Sequence, residues 1–168
     1  MRISYLIKSD GGLKCLLEQM RQLQRRGHCV YAVYRNRLGQ TDATAIPVWS
    51  DLDPQQDLAG EIVLEPGESY LPYLDGFDVV MIGFMSQLRE FADYSGHAAV
   101  VYWEQGYEAL YGDYGKLIGP NDGNRVSIQA LYGTNVRYLA VSELVAQVLQ
   151  SKFGIDAQVL PNGIDTLR

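Results

Sequence analysis

Short, unalternating apolar runs, each followed by a turn and then a helical pattern, constrain this chain more than any other feature. Ile3 to Ile7 ends at Ser9-Asp10-Gly11-Gly12, and the next stretch places Leu13, Leu16, Leu17, Met20 and Leu23 on one helical face. Those two periodicities predict a strand, a glycine turn and an amphipathic helix. The helix carries Glu18, Gln22 and Arg25 on its other side, Gly27 stops it, and Val30 to Tyr34 forms a second strand.

The same alternation continues to the end. Apolar segments at Ala45 to Trp49 and Ile62 to Leu64 precede a strand at Val79 to Gly83, a helix capped by Ser86 and running through Tyr94, and a run from Ala98 to Trp103. Between Asp51 and Pro72 the chain is punctuated by proline and glycine and shows little regular pattern. Asn124 to Leu131 reads as helical and Val136 to Val141 as a strand. Ser142 then caps a helix whose Leu144, Val145, Val148, Leu149 and Phe153 face inward, Gly154 ends it, and Val159-Leu160 is a last short strand. Apolar runs without alternation suit strands buried on both faces of a parallel sheet. The expected fold is therefore α/β, a doubly wound parallel sheet with helices on both faces, Rossmann-like, and one domain over residues 1–168.

Composition removes several function classes. Fourteen basic against 20 acidic residues give a net charge of -6, which repels phosphate backbones, so nucleic acid is not an expected partner. The densest basic cluster, Arg21, Arg25 and Arg26, falls on the polar face of the first helix, where it reads as solvated or as a surface for peripheral contact with anionic lipid. Cys15 and Cys29 lack metal-ligand spacing and read as free thiols of a reducing compartment. The amino terminus enters a strand directly, without a signal-like apolar core, and the expected location is the cytoplasm, including the inner face of the membrane.

In a doubly wound sheet, ligands bind at the carboxyl ends of the strands. That places the candidate surface at Ser9 to Gly12, Arg35 to Arg37, Phe84 to Gln87, Glu104 to Tyr111, Ser142-Glu143 and Asn162 to Asp165. At the first helix's positive end, Gly11 and Gly12 leave backbone N–H groups open to a phosphate or a sugar, although a tight strand-to-helix turn accounts for them equally well. The dinucleotide fingerprint does not fit, since Lys14 and Leu17 stand where glycines would be needed, nor does the P-loop, which requires a Gly-Lys-Ser/Thr ending. Trp103-Glu104-Gln105-Gly106-Tyr107-Glu108 groups two carboxylates, an amide and two aromatics, a set suited to a sugar ring. The competing reading makes Glu104 and Glu108 solvated charges of a loop extending to Gly123. His28 and His97 precede strands at the opposite edge and are not expected to act.

The carboxyl-terminal segment YLAVSELVAQVLQSKFGIDAQVLPNGID, Tyr138 to Asp165, resembles the stretch that closes the first domain of family-4-type retaining glycosyltransferases of GT-B fold. Gly11-Gly12, the amphipathic helix and Arg26-Gly27-His28 before a valine strand are similar to that family's opening pattern. Val101 to Tyr111 resembles a Gln-Asp-Tyr-Glu variant of polysaccharide- and rhamnan-assembly members, with Gly106 replacing the aspartate. The resemblance implies an amino-terminal, acceptor-side domain, with the nucleotide-sugar-binding domain absent from a chain that stops at Arg168 and, alone, inactive.

It further implies a hexosyltransferase that moves a sugar from a nucleotide-diphosphate donor to a glycan or lipid-linked acceptor, with no cofactor and no metal. Glu104, Gln105 and Glu108 are the expected catalytic residues, since many members carry a histidine where this chain has Glu104 and Gln105. Gly11, Gly12, Tyr107, Tyr111, Ser142, Glu143, Asn162 and Asp165 are the expected substrate-binding residues. A rival reading is a stand-alone Rossmann-like binding or regulatory domain. A nucleotide-sugar epimerase or dehydrogenase is disfavoured by the missing fingerprint.

Overall fold

The computed structural model describes residues 1–7, 13–36, 52–106 and 128–162. Among them are β1 (Arg2–Leu6), α1 (Leu13–Arg25), β2 (Cys29–Arg35), α2 (Pro54–Asp57), β3 (Gly60–Leu64), β4 (Val79–Ile82), β5 (Ala99–Glu104), β6 (Arg137–Ala140), α3 (Glu143–Phe153) and β7 (Gln158–Val159). The strands form a sheet in the order β3-β2-β1-β4-β5-β6-β7, and every pairing is parallel. This is the doubly wound α/β architecture that the strand-helix alternation predicts.

Period-two alternation divides each strand between two apolar layers. Ile3, Tyr5 and Ile7 of the first strand region pack with Leu13, Leu16, Leu17 and Met20 of α1 on one face. Leu6, Val80, Ile82, Val100 and Tyr102 face the other layer, with Leu88, Phe91, Val145 and Leu149. Apolar residues are therefore required at consecutive positions, which is why the strands read as unbroken runs. On α1, Glu18, Gln22 and Arg25 are exposed as expected. Arg21 is not purely solvated: its side chain is 11% exposed and its Nε stands 3.5 Å from Asp57 of α2.

At α3, Ser142 Oγ accepts from the Val145 N–H at 3.3 Å, and Gly154 follows Phe153 to close the helix. Leu144 departs from expectation. It is 60% exposed, because the helix turns only Val145 and Leu149 fully inward while Val148 and Phe153 are half-buried. Ser86 is not the N-cap: the segment after β4 is a 3-10 helix, Met85–Phe91, entered through an extended Phe84. The irregular region before β4 contains α2, capped by Asp53 accepting from the Gln55 N–H at 3.0 Å, then β3 and a short 3-10 turn, Leu71–Tyr73. Of the helix expected at Asn124 to Leu131, residues 128–132 are helical and the earlier ones lie outside the described residues, as does Ala45 to Trp49. No helix among the described residues is long and apolar enough to cross a membrane.

One close approach fixes the junction between β4 and α1. A Cβ added at Gly83 would lie 2.3 Å from Leu16 Cδ1, and Leu16 is fully buried. Gly83→Ala is therefore expected to cost about 1–3 kcal/mol through overpacking, read as a lower urea midpoint with an unchanged slope.

Candidate functional site

Because all pairings are parallel, the strands end along a single edge, at Leu6, Arg35, Leu64, Ile82, Glu104, Ala140 and Val159. From β1 the order runs to β2 and β3 on one side and to β4 through β7 on the other, so the topological switch point lies between β1 and β4. α1, which follows β1, packs in one apolar layer and the 3-10 helix after β4 in the other, and such a switch point is the usual ligand position in these sheets. Gln105, Ser142, Glu143 and Asn162 sit along this edge, past the ends of β5, β6 and β7. Gly11, Gly12, Tyr107, Glu108, Tyr111 and Asp165 lie outside the described residues.

Glu104 is neither a loop residue nor a solvated charge. It is the last residue of β5 and only 1% exposed. Its Oε2 accepts from the Tyr102 hydroxyl at 2.8 Å and the Tyr132 hydroxyl at 2.5 Å, and its Oε1 accepts from the Gly106 N–H at 2.9 Å. A buried carboxylate needs such donors, and charge-assisted bonds of this kind are stronger than neutral ones. Gly106 reaches the carboxylate with φ of 94°, a conformation that disfavours a side chain.

Both oxygens are engaged within the fold, so the carboxylate has a structural role there. Glu104 thereby joins Gly106, just after β5, to Tyr132, 28 residues from Glu104 in the sequence. Sequence reasoning placed Glu104 at the right edge but missed the two tyrosines. The signal lay in Tyr102, two residues earlier on the same face of β5, whereas Tyr132 arrives only through the tertiary fold.

The tyrosine layer continues behind it. Tyr138 donates to the backbone oxygens of Tyr132 at 2.9 Å and Thr134 at 3.1 Å, and the Tyr132 ring stacks on Phe153 at 4.2 Å. Burial pushes the Tyr138 hydroxyl up to about 12 and raises those of Tyr5 and Tyr70 as well. The folded state thus holds these protons more tightly than the unfolded chain, whose tyrosines ionise near pH 10. The contribution of Tyr138 is complete below about pH 10 and falls as pH rises through about 12. Urea midpoints are expected to be flat across this transition's lower side and to drop over that window, with these tyrosines ionising late in an ultraviolet titration.

A second polar group occupies the edge nearer the switch point. Arg35 ends β2, its Nη2 lies 2.7 Å from Glu90 Oε1, and its guanidinium carbon stands 4.3 Å from the Tyr70 ring centroid. Glu90 Oε2 accepts from the Tyr70 N–H at 3.0 Å and the Ser69 hydroxyl at 3.1 Å. Gln87 is 4% exposed, and neither end of its amide has a hydrogen-bond partner. Arg35 Nε, Asn36 Oδ1 and Gln105 Nε2 are likewise buried and unpaired. The Arg35 and Gln87 positions follow strand ends and were legible in the sequence. The contribution of Glu90 and Tyr70 was not, because neither belongs to a motif.

The remaining expected residues divide. Ser142 Oγ is used in capping α3, Glu143 is exposed in that helix's first turn, and Asn162 is exposed beyond β7. His28 and His97 precede β2 and β5 at the amino edge, and His97 Nδ1 lies 3.8 Å from Asp75. Among the described residues, no group of three or more histidine, cysteine, aspartate and glutamate side chains is placed to hold a metal ion.

Neither the protein-family models nor the curated proteins match this sequence. The fold by itself hosts many activities, so the functional argument rests on the edge and its side chains.

Proposed function

We propose that this chain is the acceptor-side half of a retaining, GT-B-type glycosyltransferase that moves a sugar from a nucleotide-diphosphate donor to a hydroxyl of a glycan or lipid-linked acceptor in cell-surface polysaccharide assembly. One observation carries the reading. The segment beginning at Tyr138 folds as a strand, a serine-capped helix, a glycine stop and a short strand that delivers Pro161-Asn162 to the carboxyl edge. That is the order which the resemblance of this segment to glycosyltransferases implies. The reaction would run in the cytoplasm, at the inner membrane face, without a metal; preorganised dipoles and the positive groups of a second domain would stabilise the departing diphosphate.

In this division of labour the diphosphate clamp belongs to the second domain, so the chain alone binds donors poorly. Calorimetry with a panel of nucleotide-diphosphate sugars is expected to give no affinity tighter than about 10 μM, roughly 7 kcal/mol. Tighter binding would place the donor site here and overturn the assignment of this half to the acceptor.

A stand-alone binding domain is favoured by a different observation. Ser142 of the expected substrate-binding set is spent on capping, and of the described catalytic candidates, Glu104 and Gln105, Glu104 is enclosed and Gln105 alone has an unpaired polar atom. Such a domain would bind its ligand with the same affinity whether or not a donor is present.

A further inference from the structure

We infer that Gln87, Arg35 and Asn36 form a subsite for an uncharged saccharide ring with adjacent hydroxyls, beside the switch point. This rests on the acceptor-half reading and extends it to the chemical class of the group that is held. Arg35 and Asn36 leave β2, and Gln87 follows β4, so they come from the strands on either side of β1, at the carboxyl edge of the sheet. Tyr70 connects Arg35 and Gln87, and Asn36 follows Arg35 in the chain: the Tyr70 ring lies against the Arg35 guanidinium, and its hydroxyl lies near the Gln87 amide without closing a hydrogen bond of good geometry.

Leaving a buried amide unpaired at both ends is costly, and folded proteins retain few such groups. Here four unpaired atoms stand on three residues: Gln87 Nε2 and Oε1, Arg35 Nε and Asn36 Oδ1. Two are donors and two are acceptors. A fully ionised phosphate group or a carboxylate offers only acceptors and would leave the Gln87 and Asn36 oxygens unmatched. Moreover, the Arg35 charge is already opposed by Glu90 at 2.7 Å. A sugar hydroxyl both donates and accepts, and a pair of neighbouring hydroxyls matches an amide that presents one donor and one acceptor.

The cluster reaches solvent at the ion pair, where the Arg35 and Glu90 side chains are 26% and 24% exposed. A bound ring lies against that pair, and rotation of the Gln87 and Arg35 side chains brings the unpaired atoms to its hydroxyls. Gln87 is then a specificity residue, retained for a ligand and not for the stability of the domain.

The test uses the 168-residue chain, isotope-labelled for NMR, titrated with methyl glycosides of glucose, galactose and rhamnose and, separately, with inorganic phosphate. The Gln87 side-chain amide and the Arg35 Nε–H are expected to shift with at least one glycoside, at millimolar affinity, and not with phosphate. Gln87→Leu is expected to weaken that binding at least about 10-fold while leaving Tm unchanged or raised by about 2–4 °C, because an unsatisfied amide has been removed. A lower Tm for Gln87→Leu with no glycoside response at Gln87 would identify an amide satisfied by internal water and overturn the subsite. Shifts confined to residues 105–106 and 160–162 would also overturn it while leaving the acceptor-half reading in place. No response at any residue of the edge would overturn both.

Discussion

Glu104→Ala is expected to destabilise the protein by about 3–5 kcal/mol, since it strands two buried tyrosine hydroxyls and the Gly106 N–H without an acceptor. Against a total stability of about 5–15 kcal/mol, that is a large fraction. Glu104→Gln keeps one oxygen for the tyrosines but turns an N–H donor toward Gly106 or toward the hydroxyls, and should cost about 1–3 kcal/mol. Tyr102→Phe and Tyr132→Phe share Oε2, so their effects should not add in the double variant. Urea denaturation of the set decides the matter. A midpoint for Glu104→Ala equal to wild type would mean that the carboxylate is not the clamp described here.

The second large effect falls on activity. If the proposed transferase reading holds, Gln105→Ala, Tyr107→Phe and Glu108→Gln are each expected to lower its turnover about 10²-fold or more, of the order of 3 kcal/mol, with little change in melting. Gln105 follows β5 directly, and its buried, unpaired Nε2 marks a donor without a protein partner. Tyr107 and Glu108 continue from it, outside the described residues. The contrast with Glu104 is diagnostic: its loss should lower stability first, whereas these three should lower turnover first. Unchanged turnover in all three, or melting losses large enough to account for lost activity, would return the segment to a packing role.

The sheet was legible because its strands are buried on two sides. Ile3 to Ile7, Val79 to Ile82 and Ala99 to Trp103 need apolar residues at successive positions, and α1 needs them at three- and four-residue steps. Both patterns survive in the letters. What failed were local assignments that tertiary packing decides. Leu144 has an inward-looking sequence position, yet α3 buries only the stripe through Val145 and Leu149. Ser86 is a good capping residue, but the chain enters the 3-10 helix two residues earlier through Phe84.

The site was legible as an edge and not as chemistry. Parallel strands and their order dictate where ligand groups gather, so Arg35, Gln87, Gln105, Ser142 and Asn162 could be placed without coordinates. Whether a given side chain is free cannot be read that way. Glu104 is claimed by Tyr102 and by Tyr132, 28 residues away, and Ser142 is claimed by its own helix. Arg35 gains Glu90 from 55 residues away.

The most direct test of the central claim is a transfer assay on the protein translated from its complete reading frame. Uridine-, guanosine- and thymidine-diphosphate sugars would be offered with glycan and lipid-linked acceptors, and the product's anomeric configuration read by NMR. The expected result is release of the nucleoside diphosphate together with a glycoside that keeps the donor's configuration. Failure of every donor to release its diphosphate would contradict the transferase reading, and an inverted product would contradict the retaining one.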